Sequence, residues 1–194
     1  MLTTHLLYLH GFRSSPRSAK ALRMAVWAQQ NRPDLVFACP QLPPSPAAAL
    51  ALLTTLTRHW PAARTALMGS SLGGFYATVM AERLPDCRVA LLNPAVDPAR
   101  DLAAFIGEQT CWQDEGERFF FRPEFVDELR AMAVGALTKP ARYCAVIAKG
   151  DELLDWREMR ARYQACRVML LAGSDHGLSD FDEHLPALTQ FLRL

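Results

Sequence analysis

A short apolar run that leads into a glycine- and serine-rich turn constrains this chain more than any other feature. The run Thr65-Ala66-Leu67-Met68 is followed directly by Gly69-Ser70-Ser71-Leu72-Gly73-Gly74. In a G-x-S-x-G turn the serine stands on a strained strand-to-helix junction, and its neighbours two residues away must be small because strand and helix pass closely. Ser71 meets this condition, so the pattern predicts a nucleophile elbow.

Two other interpretations of the turn stay open at this point. Ser70 is a second serine, but its neighbours two residues away are Met68 and Leu72, which are too bulky for such a junction. The turn is also compatible with a plain flexible connection between a strand and a helix. The choice between these interpretations depends on what other residues reach the same place.

Composition favours one globular domain over residues 1–194. The chain is 51% hydrophobic and 21% charged, which suits one well-buried core and is short for two domains. The formal net charge is +1, from 21 Lys and Arg against 20 Asp and Glu. Because so small a charge makes no broad field, we expect no attraction to nucleic acid or to an anionic membrane. We also expect no insertion into a membrane, since the first apolar run, residues 6–9, is too short for a transmembrane segment.

The cysteines and the N-terminus predict a cytoplasmic protein. The five cysteines are odd in number and widely spaced, without a C-x-x-C pair, which favours reduced thiols. The first apolar run, residues 6–9, follows no Lys or Arg and is too short for an export signal or a membrane span.

Apolar runs alternate with helical patterns along most of the chain. Strands are predicted at 6–9, 35–39, 65–68, 88–92, 143–148 and 168–171. Helices are predicted at 18–30, 47–59, 72–83, 156–166 and about 181–192, with Pro186 marking either a break in the last helix or its start. Such alternation predicts a parallel sheet covered by helices on both faces.

The alternation stops between about 97 and 138, which we interpret as a cap-like insertion. Helices are predicted at 98–106 and 123–132, around a polar and aromatic centre. Six of its aromatic residues could line an acyl pocket: Phe105, Trp112, Phe119, Phe120, Phe121 and Phe125. Of these, Phe105, Trp112 and Phe120 are the candidates for contact with a substrate. The alternative is that about half of the aromatic residues form the insertion's own core.

A serine nucleophile needs a base, and residues that follow the strands are the first candidates because ligands bind at the carboxyl ends of parallel strands. His176 comes just after the last strand, and His10, which ends the first, is its rival. Asp151, after the 143–148 strand, is the expected acid in the order serine, acid, histidine. Asp155 and Asp175 rank second and third.

Backbone N–H groups are expected to hold the oxyanion that forms during acyl transfer. Leu72 follows the serine at a helix N-terminus, and Phe12 lies in the loop after the first strand. His10, in that same loop, is also a candidate for substrate binding.

A metal site is the alternative for the C-terminal polar cluster. Its potential ligands lie close in sequence: Asp175, His176, Asp180, Asp182 and His184. This interpretation leaves the elbow unexplained, and the chain has neither a P-loop nor a G-x-G-x-x-G motif. We therefore expect no metal and no cofactor.

Five motifs taken together resemble the YqiA-type esterases, a small bacterial branch of the α/β-hydrolase superfamily. They are Leu7-Tyr8-Leu9-His10-Gly11-Phe12, Ser14-Ser15-Pro16-Arg17-Ser18-Ala19-Lys20, Pro40-Gln41-Leu42-Pro43-Pro44, Gly69-Ser70-Ser71-Leu72-Gly73-Gly74 and Asn93-Pro94-Ala95-Val96. The resemblance implies a compact α/β-hydrolase fold with a short helical cap. It also implies esterase or thioesterase activity on small acyl substrates, through Ser71, Asp151 and His176, without a cofactor.

Other activities on the same fold stay open. One is a binding module that has lost turnover, and another is a peptidase or lactonase that uses the same triad. Arg13 stands where a smaller polar residue is expected in this family. It either faces the pocket, where it would favour anionic substrates, or is a solvated loop residue.

Overall fold

Six strands form one parallel sheet in the computed structural model, which describes residues 1–84 and 86–194. They are β1 (His5–Leu9), β2 (Val36–Ala38), β3 (Thr65–Ser70), β4 (Arg88–Leu92), β7 (Tyr143–Ala148) and β8 (Arg167–Leu171). Their order across the sheet is β2-β1-β3-β4-β7-β8, and each neighbouring pair runs parallel. β3 with its elbow therefore lies inside the sheet, between β1 and β4.

Helices cover both faces of this sheet. They are α1 (Ala19–Asn31), α2 (Pro46–Thr57), α3 (Leu72–Arg83), α4 (Pro98–Leu102), α5 (Pro123–Met132), α6 (Trp156–Arg162) and α7 (Phe181–Leu192). Alternate strand residues point to opposite faces, so Leu7 and Leu9 pack with α2, α3, α5 and α6, while Leu6 and Tyr8 pack with α1 and α7. The predicted α/β fold class is confirmed. No helix of the described residues is long and apolar enough to span a membrane.

Two predicted helices differ from the structure in instructive ways. α7 runs unbroken from Phe181 to Leu192 with Pro186 inside it, because its apolar face packs on the sheet through residues such as Leu185 and Leu188. α6 ends at Arg162, four residues before its predicted end. A turn follows it, in which the N–H of Cys166 bonds the carbonyl of Tyr163.

The segment 97–138 differs from the predicted pair of helices. The first, expected at 98–106, is α-helical only to Leu102 and ends in a 3-10 turn, Ala103–Phe105. α4 and α5 flank an antiparallel hairpin of β5 (Gly107–Cys111) and β6 (Asp114–Phe121). In β6 the Phe121 side chain is buried while Phe120 is 58% exposed, which is the two-residue alternation of a strand. The rings of Phe119 and Phe121 pack edge to face against Phe12, at 5.8 and 5.2 Å between ring centroids. The hairpin therefore covers the loop that follows β1.

Candidate active site

Ser71 occupies the sharp junction between β3 and α3. Its backbone has φ 54° and ψ −122°, a conformation that costs a non-glycine residue energy and is held only by its surroundings. A Cβ on Gly69 would overlap the carbonyl of Gly73, and a Cβ on Gly73 would overlap that of Leu9. Both glycines are therefore needed for strand and helix to pass, while Ser70 still belongs to β3.

We expect Gly73→Ala to destabilise the protein by about 1–3 kcal/mol or more, because the new methyl group meets rigid backbone atoms. Denaturant unfolding measures this free energy. Gly135→Ala is the matched control, since nothing lies within 4 Å of a Cβ placed at Gly135. Equal midpoints for the two variants would contradict the close approach of β1, β3 and α3.

His176 and Asp151 meet at the carboxyl end of the sheet. The Nδ1 of His176 lies 3.0 Å from Oδ1 and 2.9 Å from Oδ2 of Asp151. The Asp151 side chain is fully buried, whereas His176 keeps 18% of its side chain exposed. A carboxylate on Nδ1 leaves Nε2 as the nitrogen that is free to accept a proton.

The loop after β7 fixes the Asp151 carboxylate. Oδ1 of Asp151 accepts the N–H groups of Leu153 and Leu154 at 2.9 and 2.8 Å. These bonds fix the orientation of a carboxyl group that has no contact with solvent. Next to it, Glu152 accepts the backbone N–H of His176 at 3.0 Å, which joins this loop to the one that carries the histidine.

The two other acids considered from the sequence have different partners. Asp155 caps α6 by accepting the N–H of Arg157 at 2.9 Å. Asp175 accepts the N–H of Ser179 at 3.0 Å. Of these three candidates, Asp151 is the one that hydrogen-bonds to the His176 ring in the described part of the chain.

Asn93 is a positioning residue that sequence reasoning missed. It is fully buried at the end of β4 with φ 42°. Its Oδ1 accepts the N–H of Ala148 at 2.8 Å, and its Nδ2 donates to the carbonyls of Asp175 and His176 at 2.9 and 3.3 Å. One side chain thus ties the ends of β4 and β7 to the histidine loop. The Asn-Pro pair directly after a strand was its only signal in the sequence.

His10 anchors the loop after β1 with both of its ring nitrogens. Nε2 accepts the N–H of Leu42 at 3.1 Å, and Nδ1 lies 3.0 Å from the carbonyl of Gly11. The side chain is 3% exposed, and burial lowers its pKa. His10 is therefore a neutral structural histidine whose nitrogens are both used, which removes it as a rival base.

The lowered pKa of His10 predicts a pH dependence of stability. The unfolded state binds this proton at higher pH than the folded state does, so His10 stabilises the fold above about pH 6.5, and the contribution is lost as pH falls below that value. We expect the free energy of unfolding to fall more between pH 7 and 5 in the wild type than in His10→Gln. Identical pH slopes in denaturant unfolding would contradict this.

The two N–H groups expected at the oxyanion both belong to residues close to Ser71 in the chain or in space. Leu72 is the first residue of α3, so its N–H has no partner inside the helix. Phe12 lies next to Gly11, where an added Cβ would stand 3.2 Å from Cβ and 3.6 Å from Oγ of Ser71. Neither N–H is used in a hydrogen bond between residues that the structure describes.

Two cavities flank the loop of residues 10–14. The first, of about 260 Å³, is lined by both Ser71 and His176 and also by Trp112. The second, of about 130 Å³, shares part of the loop with the first and includes Leu72, Tyr76 and Phe119 in its lining. The hydrogen bonds of the described residues do not include one between Ser71 and His176, although the two share the first cavity.

The predicted substrate contacts divide between these surfaces. His10 lines both cavities and Trp112 lines the first, but Phe105 and Phe120 line neither. Phe105 packs on Phe12 at 5.7 Å between ring centroids instead. Phe119, one of the aromatic residues expected from the sequence to line an acyl pocket, lines the second cavity.

Arg13 ties the loop to the hairpin. Its guanidinium lies 4.2 Å over the ring of Trp112 and donates to the carbonyl and hydroxyl of Thr110 at 2.8 and 3.0 Å. The carbonyl of Arg13 also accepts the N–H of Trp112 at 2.7 Å. Arg13 is thus bound to the hairpin while also lining the second cavity.

The residues of the C-terminal polar cluster pair separately and do not share one site. Asp182 pairs with Arg23 at 2.5 Å and Asp180 with His184 at 3.1 Å. In residues 1–84 and 86–194 no three potential metal ligands converge.

Comparison with solved structures assigns the chain to the α/β-hydrolase fold. Alpha/beta hydrolase domain-containing protein 10 from mouse is similar at a TM-score of 0.73 and 16% identity, over 97% of this chain and 88% of that one. A structure from work on LipS and LipT, two metagenome-derived lipolytic enzymes, is similar at a TM-score of 0.71 and 18% identity, over 100% of this chain and 95% of that one. Est1E from Butyrivibrio proteoclasticus with ferulic acid bound is similar at a TM-score of 0.70 and 14% identity, over 99% of this chain and 87% of that one.

Within this fold class the sequence identifies a particular family. The chain belongs to UPF0227, described as an uncharacterised protein family, whose family model matches residues 5–193. This match confirms the YqiA-type resemblance of its motifs.

Proposed function

We propose that this protein is a serine hydrolase that cleaves small acyl esters or thioesters through an acyl-enzyme. The observation that supports this most is the arrangement at the elbow. Ser71 shares a cavity with His176, and the Nδ1 of His176 is bonded to the buried carboxylate of Asp151. A serine, a histidine with a free Nε2 and an orienting acid are the groups that acyl transfer requires.

Each residue has a defined part in this reaction. The Nε2 of His176 takes the proton of Ser71 as Oγ bonds to the substrate carbonyl carbon, and the N–H groups of Leu72 and Phe12 stabilise the oxyanion. Collapse of this intermediate breaks the bond to the leaving group, which receives the proton from His176. Water then attacks the acyl-enzyme with His176 again as base, and carboxylic acid and free serine result.

The hydrogen bond between Ser71 and His176 belongs to the substrate complex in this mechanism. Such contacts are often long in a ligand-free site and shorten when substrate binds. Asn93 and Glu152 hold the His176 backbone meanwhile, so that the ring stays on Asp151.

The two cavities suggest where the halves of the substrate lie. Because His176 must protonate the leaving group, that group belongs in the larger cavity, which His176 lines. The acyl chain then lies in the smaller pocket beside Leu72 and Phe119.

A panel of acyl esters and acyl thioesters of increasing chain length tests this function. We expect turnover of short-chain members by the wild type and none above background by Ser71→Ala. Binding without turnover of any member would favour the non-catalytic alternative. Cleavage of lactones or peptides alone would show that the substrate class is wrong.

A further inference from the structure

The larger cavity ends at a feature that the proposed reaction does not use, the N-terminus of α1. Ser18, Ala19 and Lys20 line this cavity together with Ser71 and His176. These residues end the serine-rich motif of residues 14–20, which runs into the first turn of α1 and for which acyl transfer has no use.

The N-terminus of α1 is open to a ligand. The helix is 13 residues long, its N-cap Ser18 makes no side-chain capping bond, and its first turn contains no acidic residue. The first N–H groups of a helix have no partner inside it, and together with the helix dipole they attract negative charge.

Lys20 adds a full positive charge at the same place. Its Nζ donates to the carbonyl of Gly177, the residue after His176. Among the described residues, no carboxylate oxygen lies within 4.0 Å of this Nζ, the distance that defines an ion pair. An ammonium group has three protons, so two remain for a ligand.

Burial and the neighbouring carboxylates shift the pKa of Lys20 in opposite directions. Burial lowers the pKa of Lys20, while the carboxylates of Asp175 and Asp151 raise it. A partly buried ammonium without a direct ion pair gains more from an anionic ligand than a fully solvated one does.

Tyr8 supplies an independent sign of a ligand in this cavity. Its side chain is fully buried, and although the side chain of Ser70 lies close to its hydroxyl, the hydroxyl makes no hydrogen bond of good geometry to any described residue. Burial raises the pKa of Tyr8, so the hydroxyl stays protonated and can donate. The amide oxygen of Gln113 is also buried without a partner in the same lining, which suits a hydroxyl or N–H of the same ligand. Buried polar groups without partners are rare in native proteins and indicate a water or ligand site.

We propose that Lys20, the N-terminus of α1 and the Tyr8 hydroxyl bind an anionic group, a carboxylate or a phosphate, on the leaving alcohol or thiol of the substrate. This inference rests on the proposed function, because it places the leaving group beside His176. It makes Lys20 a specificity-determining residue that selects negatively charged leaving groups.

Three acetate esters with different leaving-group charge test the proposal: 4-acetoxybenzoate, 4-acetoxyphenyl phosphate and the neutral 4-acetoxybenzamide. We expect Lys20→Met to lower kcat/KM for an anionic ester by about 10- to 100-fold, the usual effect of losing a hydrogen bond to a charged group. The same variant should change kcat/KM of the neutral ester less than about threefold. The better of the two anionic esters distinguishes a carboxylate from a phosphate.

Two further variants separate the effect of the Lys20 charge on catalysis from an effect on the folded structure. Lys20→Arg keeps the charge and should retain most of the preference. Arg23→Met removes a cation one turn later on α1, outside the cavity, and should leave all three rates unchanged. An equal loss for all three esters in Lys20→Met would overturn the proposal, because Lys20 would then act only by holding the Gly177 loop. Absence of any preference for charge in the wild type would overturn it as well.

A binding measurement keeps this test separate from the test of turnover. Calorimetry compares 4-hydroxybenzoate and 4-hydroxyphenyl phosphate with neutral 4-hydroxybenzamide, in the wild type and in Lys20→Met. We expect tighter binding of an anion that depends on Lys20, even if no ester is cleaved. Equal affinity of both proteins for the anions would overturn the anion site, whereas hydrolysis that does not depend on Ser71 would overturn the proposed function alone.

Discussion

Replacing Ser71 by alanine is expected to lower kcat for a short activated ester by about 10⁴-fold or more, while the protein stays folded. The reason is chemical, because without Oγ no acyl-enzyme forms and water must attack the ester directly. Alanine is smaller than serine, so the backbone of the elbow keeps its packing against Gly69 and Gly73. Steady-state kinetics with 4-nitrophenyl acetate, together with circular dichroism of the variant, measures both points.

Ser70→Ala is the matched control for this substitution. It removes the same atom one residue earlier, from a side chain at the end of β3 that is 7% exposed. We expect a much smaller loss than for Ser71→Ala. A large loss in Ser70→Ala with an active Ser71→Ala protein would contradict the assignment of the nucleophile.

The second large effect is expected for Asp151→Asn, at about 10⁴-fold in kcat with little change in KM. An amide of the same shape can present its NH₂ group to the Nδ1 of His176. The ring would then carry its proton on Nε2 and could not accept the proton of Ser71. The carboxylate is fully buried, so solvent cannot replace it.

Asp155→Asn makes the same chemical change four residues later. Asp155 caps α6, and asparagine caps helices about as well as aspartate, so activity and stability should stay close to those of the wild type. Similar kinetic losses in the two variants would contradict the role of Asp151 and indicate a general disturbance of the loop after β7.

Patterns of neighbouring residues predicted most of the architecture. The apolar runs of β1, β3, β4 and β7 are buried on both faces, so each is recognisable as a continuous stretch. The elbow was also readable, because the overlap of a Cβ on Gly69 with Gly73 is a local steric fact within five residues.

Contacts between distant parts of the chain could not be predicted in the same way. The β5–β6 hairpin is held on the sheet domain by Phe12 and Arg13, about 100 residues away. Asn93 acts on Ala148 and His176, and Lys20 acts on Gly177. No short pattern encodes such pairs, since each depends on how the loops at one edge of the sheet come together.

Labelling with a fluorophosphonate probe, followed by peptide mass spectrometry, tests the central claim most directly. This reagent bonds to an activated serine, so a site with Ser71, His176 and Asp151 in the proposed roles predicts a single adduct on Ser71. The adduct should be absent from His176→Ala, because that variant lacks the base. A folded wild-type protein that gives no adduct, or gives one on Ser70, would contradict the proposal.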